Sequence, residues 1–334
     1  MTPAPPSMVE TADFGANPGG LRMLTYAPQG LRSGATLVVV LHGCSQRAES
    51  FAADAGWLEL AERWGFVVLA PEQSQMNNPG RCFNWFRQGD IRRGRGEAAS
   101  IAAMVQAAVQ AHGADPNRVF VTGLSAGGAM SAVMLAAYPD LFAGAAVIAG
   151  TPYGLARGVR DALRVMRKPG EPDFEALGQL VRQAGQGAPA RPLRLSIWHG
   201  DADDVVAVAN AQHLARQWAA AAGLPQAPRK LDHPAGRTRS VWGGGGAGPR
   251  ITLDIVHGLG HGAPLSTLGA DGLGRTAPFM LEAGLSSTLE VARAWGLERA
   301  RGIVRPAPSP RPPGLLARLS RPLGRLVGKL RSPE

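Results

Sequence analysis

Apolar, β-branched runs bounded by turn-forming residues recur along the chain at residues 36–42, 66–70, 118–122, 144–149, 193–198 and 251–256. Each is strand-length, and residues 37–41, 66–70 and 144–149 are apolar at successive positions, the signature of a strand covered on both faces. Between most of them, stretches 48–63, 97–112, 126–137 and 206–222 space their apolar residues for one side of a helix. Strands alternating with helices predict an α/β fold built on a mostly parallel, doubly wound sheet with helices on both faces. Ligands then bind at the carboxyl ends of the strands.

The same pattern sets the expected boundaries. Residues 1–19, rich in Pro, Gly and Ala, read as a flexible leading segment, and 20–26 as an antiparallel edge strand. The folded domain spans 20–304, with 155–190 a helical insertion expected to cap the active site. Residues 243–248, Gly-Gly-Gly-Gly-Ala-Gly, suit only a loop or hairpin tip. Prolines across 305–314 predict an extended linker. Beyond it, Leu315, Leu316, Leu319, Leu323, Leu326, Val327 and Leu330 share one helical face, while Pro322, Gly324 and Gly328 weaken the helix.

Composition narrows the function classes. With 45% apolar and 18% charged residues the chain can build a large core. Its formal charge of +10 is uneven: residues 301–334 hold eight Lys and Arg against Glu334. That tail is suited to peripheral contact with a granule or an anionic membrane surface. The body lacks zinc-type cysteine spacing, a phosphate-binding Gly-Lys-Ser/Thr loop and any aromatic-basic signature, so no nucleic-acid role, metal or cofactor is expected. No apolar run reaches membrane-spanning length. Met1–Gly20 has neither the basic start nor the apolar stretch of a secretory signal.

Gly123-Leu-Ser-Ala-Gly127 follows a strand-like run and opens a helix-like one, the setting of a nucleophile elbow. A serine hydroxyl needs a base to attack at neutral pH, so Ser125 calls for a histidine. In this chain order the base follows the last strand, where His261 and His257 stand, and His261 in the flexible Gly258-Leu-Gly-His-Gly262 loop is preferred. The orienting carboxylate is expected at another strand end. His199-Gly-Asp-Ala-Asp-Asp204 offers Asp201, Asp203 and Asp204; Asp203 is preferred, with its neighbours forming the turn or capping the next helix. Two backbone amides should face the developing oxyanion, those of Ala126 and of Cys44 in Leu41-His-Gly-Cys-Ser45. His42 and His199 read as structural props.

Several blocks together resemble the poly(3-hydroxybutyrate) depolymerase-type esterases, α/β-hydrolases related to feruloyl and acetyl-xylan esterases. They are Leu41-His-Gly-Cys-Ser-Gln46, Pro71-Glu-Gln73, Cys82-Phe-Asn-Trp-Phe86, Gly96-Glu97, Gly123-Leu-Ser-Ala-Gly-Gly-Ala-Met130, Tyr138-Pro-Asp-Leu-Phe142, Ala149-Gly-Thr-Pro-Tyr-Gly154 and Gly258-Leu-Gly-His261. The resemblance implies hydrolysis of an ester or polyester through an acyl-enzyme, with Ser125, Asp203 and His261 as the triad. It also implies substrate contacts from Trp85, Phe86 and Tyr153, a disulfide between Cys44 and Cys82, and an extracellular setting. One departure stands out. Many relatives carry an aromatic residue two positions after the histidine, where this chain has Ala263, so the aromatic wall is expected to be missing there or supplied instead by Trp85 and Phe86 or by Trp242.

Overall fold

The computed structural model describes residues 7–245 and 250–298. In chain order its elements are β1 (Val9–Thr11), β2 (Arg22–Tyr26), β3 (Leu37–Leu41), α1 (Ala48–Asp54), α2 (Trp57–Trp64), β4 (Val67–Glu72), α3 (Gly96–His112), β5 (Val119–Leu124), α4 (Ala126–Ala137) and β6 (Gly144–Ile148). There follow α5 (Val159–Arg167), α6 (Phe174–Ala184), β7 (Arg194–Gly200), α7 (Ala209–Ala221), β8 (Lys230–Asp232), β9 (Arg237–Gly243), β10 (Arg250–Val256), β11 (Ala263–Leu265), β12 (Met280–Glu282) and α8 (Ser287–Ala294).

Ten strands form one sheet in the order β1-β2-β4-β3-β5-β6-β7-β10-β9-β8. Its centre, β4 through β10, is parallel, and antiparallel strands close both edges. The strand pleat divides the core in two. Leu37, Val39 and Leu41 of β3 face α3, α4, α6 and α7, whereas Val38 and Val40 face α1, α2 and α8. All five are fully buried, which is why β3 is apolar at every position. The fold is that of an α/β-hydrolase.

Four expectations need correction. The leading segment is not wholly irregular: Val9–Thr11 pairs with β2, so β2 lies one strand in from the edge. Residues 48–63 form two helices, because Gly56 takes a φ of 82° and lies against Leu273. The 155–190 insertion does not simply cap the site. Its α6 buries the Phe174, Leu177 and Val181 stripe in the helical layer, with Gly178 packed on Ala220 of α7. Its α5 bonds to the loop after β7 through Ala207 N–H to Met166 O at 2.7 Å, and to the start of α7 through Asn210 Nδ2 to Val165 O at 2.9 Å. Finally, β8 and β9 add two strands beyond β10, with Gly243 opposite Arg250.

β9 was hidden by its charges. Arg237 and Arg239 point to the buried Asp254 of β10 and to Glu290 of α8, and Arg237 also lies over the Trp198 ring. Arg237 holds Glu290 through two bonds of 2.6 and 2.8 Å. The Pro-rich linker and basic amphipathic tail, 305–334, lie outside the described residues.

Candidate active site

β5 enters α4 through Ser125, whose φ of 57° and ψ of −116° lie in a region that side-chain-bearing residues rarely adopt. The strained turn is clamped by Ser125 N–H to Ile148 O at 2.8 Å and by Ala129 N–H to Ser125 O at 2.9 Å. Its two glycines are steric necessities: a Cβ on Gly127 would stand 2.1 Å from Leu41 O, and one on Gly123 2.4 Å from Gly127 O. The sharp turn sets the serine at the carboxyl end of β5 and directly before the first turn of α4, where backbone N–H groups favour negative charge.

His261 arrives on the loop between β10 and β11. Its Nδ1 lies 2.8 Å from Asp203 Oδ2 and its Nε2 3.0 Å from Ser125 Oγ. Because the carboxylate only accepts, Nδ1 must carry the proton; Nε2 is left bare to accept from the serine hydroxyl. Asp203 is fixed in turn. Its Oδ1 accepts from Val205 N–H at 2.9 Å and Val206 N–H at 2.8 Å. Its Oδ2 also stands 3.2 Å from His199 Nε2, which donates to Val206 O at 2.7 Å. Burial pushes the Asp203 carboxyl upward, but the hydrogen bonds from His199, His261 and Val206 outweigh it and hold the group well below the usual carboxylate range. Gly200 lets this loop meet the histidine loop, since a Cβ there would stand 2.0 Å from Leu259 O.

Leu41-His-Gly-Cys-Ser45 lies beside the serine; a Cβ on Gly43 would be 3.6 Å from Ser125 Cβ. The Cys44 and Ala126 amides donate to no acceptor among the described residues. Cys44 is joined to Cys82 by a disulfide. Buried His42 ties the loop to the end of β4: its Nδ1 donates to Gly43 O at 2.7 Å and its Nε2 accepts from Gln73 N–H at 3.1 Å. Burial lowers His42 to about 4, so it is a neutral prop. Glu97, at the start of α3, completes the support. It accepts from Asn84 N–H at 2.7 Å, Asn84 Nδ2 at 2.6 Å and Gln73 Nε2 at 2.5 Å. Burial lifts its carboxyl to about 7 against those three donors, which favour the ionised form.

The remaining candidates fall elsewhere. Trp85, Phe86 and Tyr153 are largely buried in the apolar cluster that also holds Ala126. His257 is exposed and bonds to Thr238 Oγ1 at 3.0 Å, and Asp201 accepts from Gly258 N–H at 2.6 Å. Phe279 was missed. Its ring meets His261 edge-on, 5.9 Å between centroids, and 40% of it is exposed. Gly262 permits the approach, since a Cβ there would stand 2.7 Å from Phe279 O. No sequence spacing links Phe279 to the histidine loop. Among the described residues no group of three His, Cys, Asp or Glu side chains is placed to hold a metal ion.

A sheet of this order, with a serine on its strand-to-helix elbow and a histidine on the loop after the last parallel strand, defines an α/β-hydrolase. The family model described as esterase PHB depolymerase matches residues 22–241. Poly(3-hydroxyalkanoate) depolymerase C of Paucimonas lemoignei is 38% identical over 292 residues, 87% of this chain and 70% of that protein. Acetylxylan esterase A of Emericella nidulans is 30% identical over 269 residues, 78% of this chain and 86% of that protein. The solved structure of an acetyl xylan esterase from Aspergillus awamori superposes with a TM-score of 0.69 at 29% identity, covering 76% of this chain and 94% of the other. The chain belongs to the PHB depolymerase esterase family and is a carboxylic ester hydrolase.

Proposed function

We propose that Ser125, His261 and Asp203 cleave a carboxylic ester through a covalent acyl-enzyme, and that the ester joins short hydroxyalkanoate units, polymeric or oligomeric. Ser125 Oγ attacks the carbonyl carbon while His261 Nε2 takes its proton. The Cys44 and Ala126 amides receive the oxyanion. His261 then returns the proton to the leaving alcohol. In the second half a water molecule, deprotonated by His261, attacks the acyl carbon, and the carboxylic acid leaves as Ser125 regains its proton. Asp203 holds the tautomer and stabilises the imidazolium formed in each half.

The observation that carries the chemistry is the unbroken relay Ser125 Oγ–His261 Nε2–Nδ1–Asp203 Oδ2, with links of 3.0 and 2.8 Å. The 38% identity to a polyhydroxyalkanoate depolymerase supports the substrate class. Phe279, partly exposed beside His261, supplies an aromatic wall for the acyl or alcohol portion. The similarity to an acetyl xylan esterase structure favours a second reading, acetyl ester hydrolysis. A panel of poly(3-hydroxybutyrate), its soluble oligomers, and feruloyl and acetyl esters separates them, with Ser125→Ala as control. Highest kcat/KM on the hydroxybutyrate esters is expected. Faster turnover of acetyl or feruloyl esters would move the substrate class and leave the triad standing.

A further inference from the structure

At the edge of the sheet opposite Ser125, beside the amino ends of β6 and β7, a cavity of about 560 Å³ opens between α4, α6 and α7. This volume falls in the roughly 300–1,000 Å³ range of small-molecule sites. Its walls are apolar, formed in part by Leu135, Phe142 and Trp218. Trp218 is 95% buried and contributes to the apolar wall.

Three arginines stand around the same cavity: Arg182, Arg191 and Arg194. Arg182 and Arg191 donate to the carbonyls of Ala220, Asp140 and Pro116, and among the described residues none of the three forms an ion pair with a carboxylate. Arg194 further stands directly opposite Arg250 in the parallel register of β7 and β10. Like charges paired across strands repel unless a counter-charge joins them. An apolar pocket with a cationic border is complementary to an amphiphile with an alkyl chain and an anionic head.

We propose that this cavity is a second ligand site, remote from the catalytic serine, that binds a medium-chain carboxylate: the alkyl chain lies against Leu135, Phe142 and Trp218, and the carboxylate meets the arginines. The charge selects carboxylate over alcohol, and the apolar wall selects a chain over acetate. A ligand there leaves the triad untouched, because the cavity lies at the ends of the strands opposite Ser125.

Isothermal titration of the full-length chain with decanoate, with acetate and 1-decanol in parallel, tests this. Saturable decanoate binding is expected, with acetate and decanol each weaker by about tenfold or more, since each lacks one of the two contacts. Arg194→Gln and Ala190→Trp change exposed positions lining the cavity, so the fold tolerates them; each should weaken decanoate by about tenfold. Hydrolysis of a short soluble ester by the Arg194 and Ala190 variants should match wild type. Absence of saturable decanoate binding would overturn the proposal. So would decanol binding as tightly as decanoate, or an affinity equal to the competitive inhibition constant and unmoved by Arg194→Gln and Ala190→Trp, which would place decanoate at the catalytic site.

Discussion

Replacing Asp203 by Asn probes the hydrogen-bond logic of the site because the carboxylate accepts on both sides at once. Oδ1 serves Val205 and Val206 N–H, while Oδ2 serves His261 Nδ1 at 2.8 Å and lies 3.2 Å from His199 Nε2. An amide has a single oxygen. If it stays on the Val205 and Val206 amides, the new NH₂ faces His261 and drives that ring to the tautomer protonated on Nε2, which cannot accept from Ser125. If the amide flips, two backbone N–H groups lose their acceptor, at about 1–3 kcal/mol each. The first arrangement is therefore preferred, and kcat should fall on the order of 10⁴-fold with KM little changed. The assay is p-nitrophenyl butyrate hydrolysis, with circular dichroism and thermal unfolding to show that the fold survives. A folded Asp203→Asn enzyme within about tenfold of wild type would refute the tautomer argument.

Glu97 should make stability depend on pH in the sense opposite to a salt-bridged acid. Its folded value of about 7 exceeds the ordinary 4.5, so the native state holds the proton more tightly, and stability present below pH 4.5 is lost as pH rises to about 7. The loss is at most about 3 kcal/mol; urea unfolding of wild type and Glu97→Gln at several pH values should show the slope in the first and its reduction in the second, and equal slopes would contradict it. Phe279→Ala removes a ring contact worth about 0.5–1.5 kcal/mol, so kcat/KM should fall up to about tenfold, more on aromatic or oligomeric esters than on acetate esters. No change on any ester would remove it from the substrate site. Deleting residues 305–334 should abolish salt-sensitive attachment to polyester particles or anionic vesicles and leave soluble-ester turnover intact; equal attachment by both forms would dismiss a surface role for the tail.

The central strands were legible because they obey one simple rule: residues such as Leu37–Leu41 are buried on both faces and carry no polar side chain. Ser125 was legible because its elbow requires small residues at fixed offsets, Gly123 and Gly127, in a strand-to-helix setting. What escaped depends on tertiary partners. β9, Arg237-Thr-Arg-Ser-Val-Trp-Gly, reads as polar and loop-like, yet its arginines are neutralised by Asp254 and Glu290, which lie far along the chain. The insertion was expected to cap the site because insertions commonly lie over the active site of such folds, but the stripe on α6 is buried in the helical layer beside α7. Phe279 reaches His261 from 18 residues away only because Gly262 lets the two backbones meet. Glu97 stood in one of the blocks of the resemblance, Gly96-Glu97, but with no role attached; its role arises from Gln73 and Asn84, which arrive on other segments.

The most direct test of the account is covalent capture of the nucleophile. The full-length chain is treated with a p-nitrophenyl alkylphosphonate, which mimics the tetrahedral intermediate, and the adduct is located by peptide mass spectrometry. One adduct on Ser125 is predicted, formed with loss of esterase activity and absent from Ser125→Ala. Labelling of His261→Ala should be slower by several orders of magnitude, because the serine has lost its base. An adduct on any other residue, or Ser125→Ala retaining wild-type hydrolysis, would contradict it.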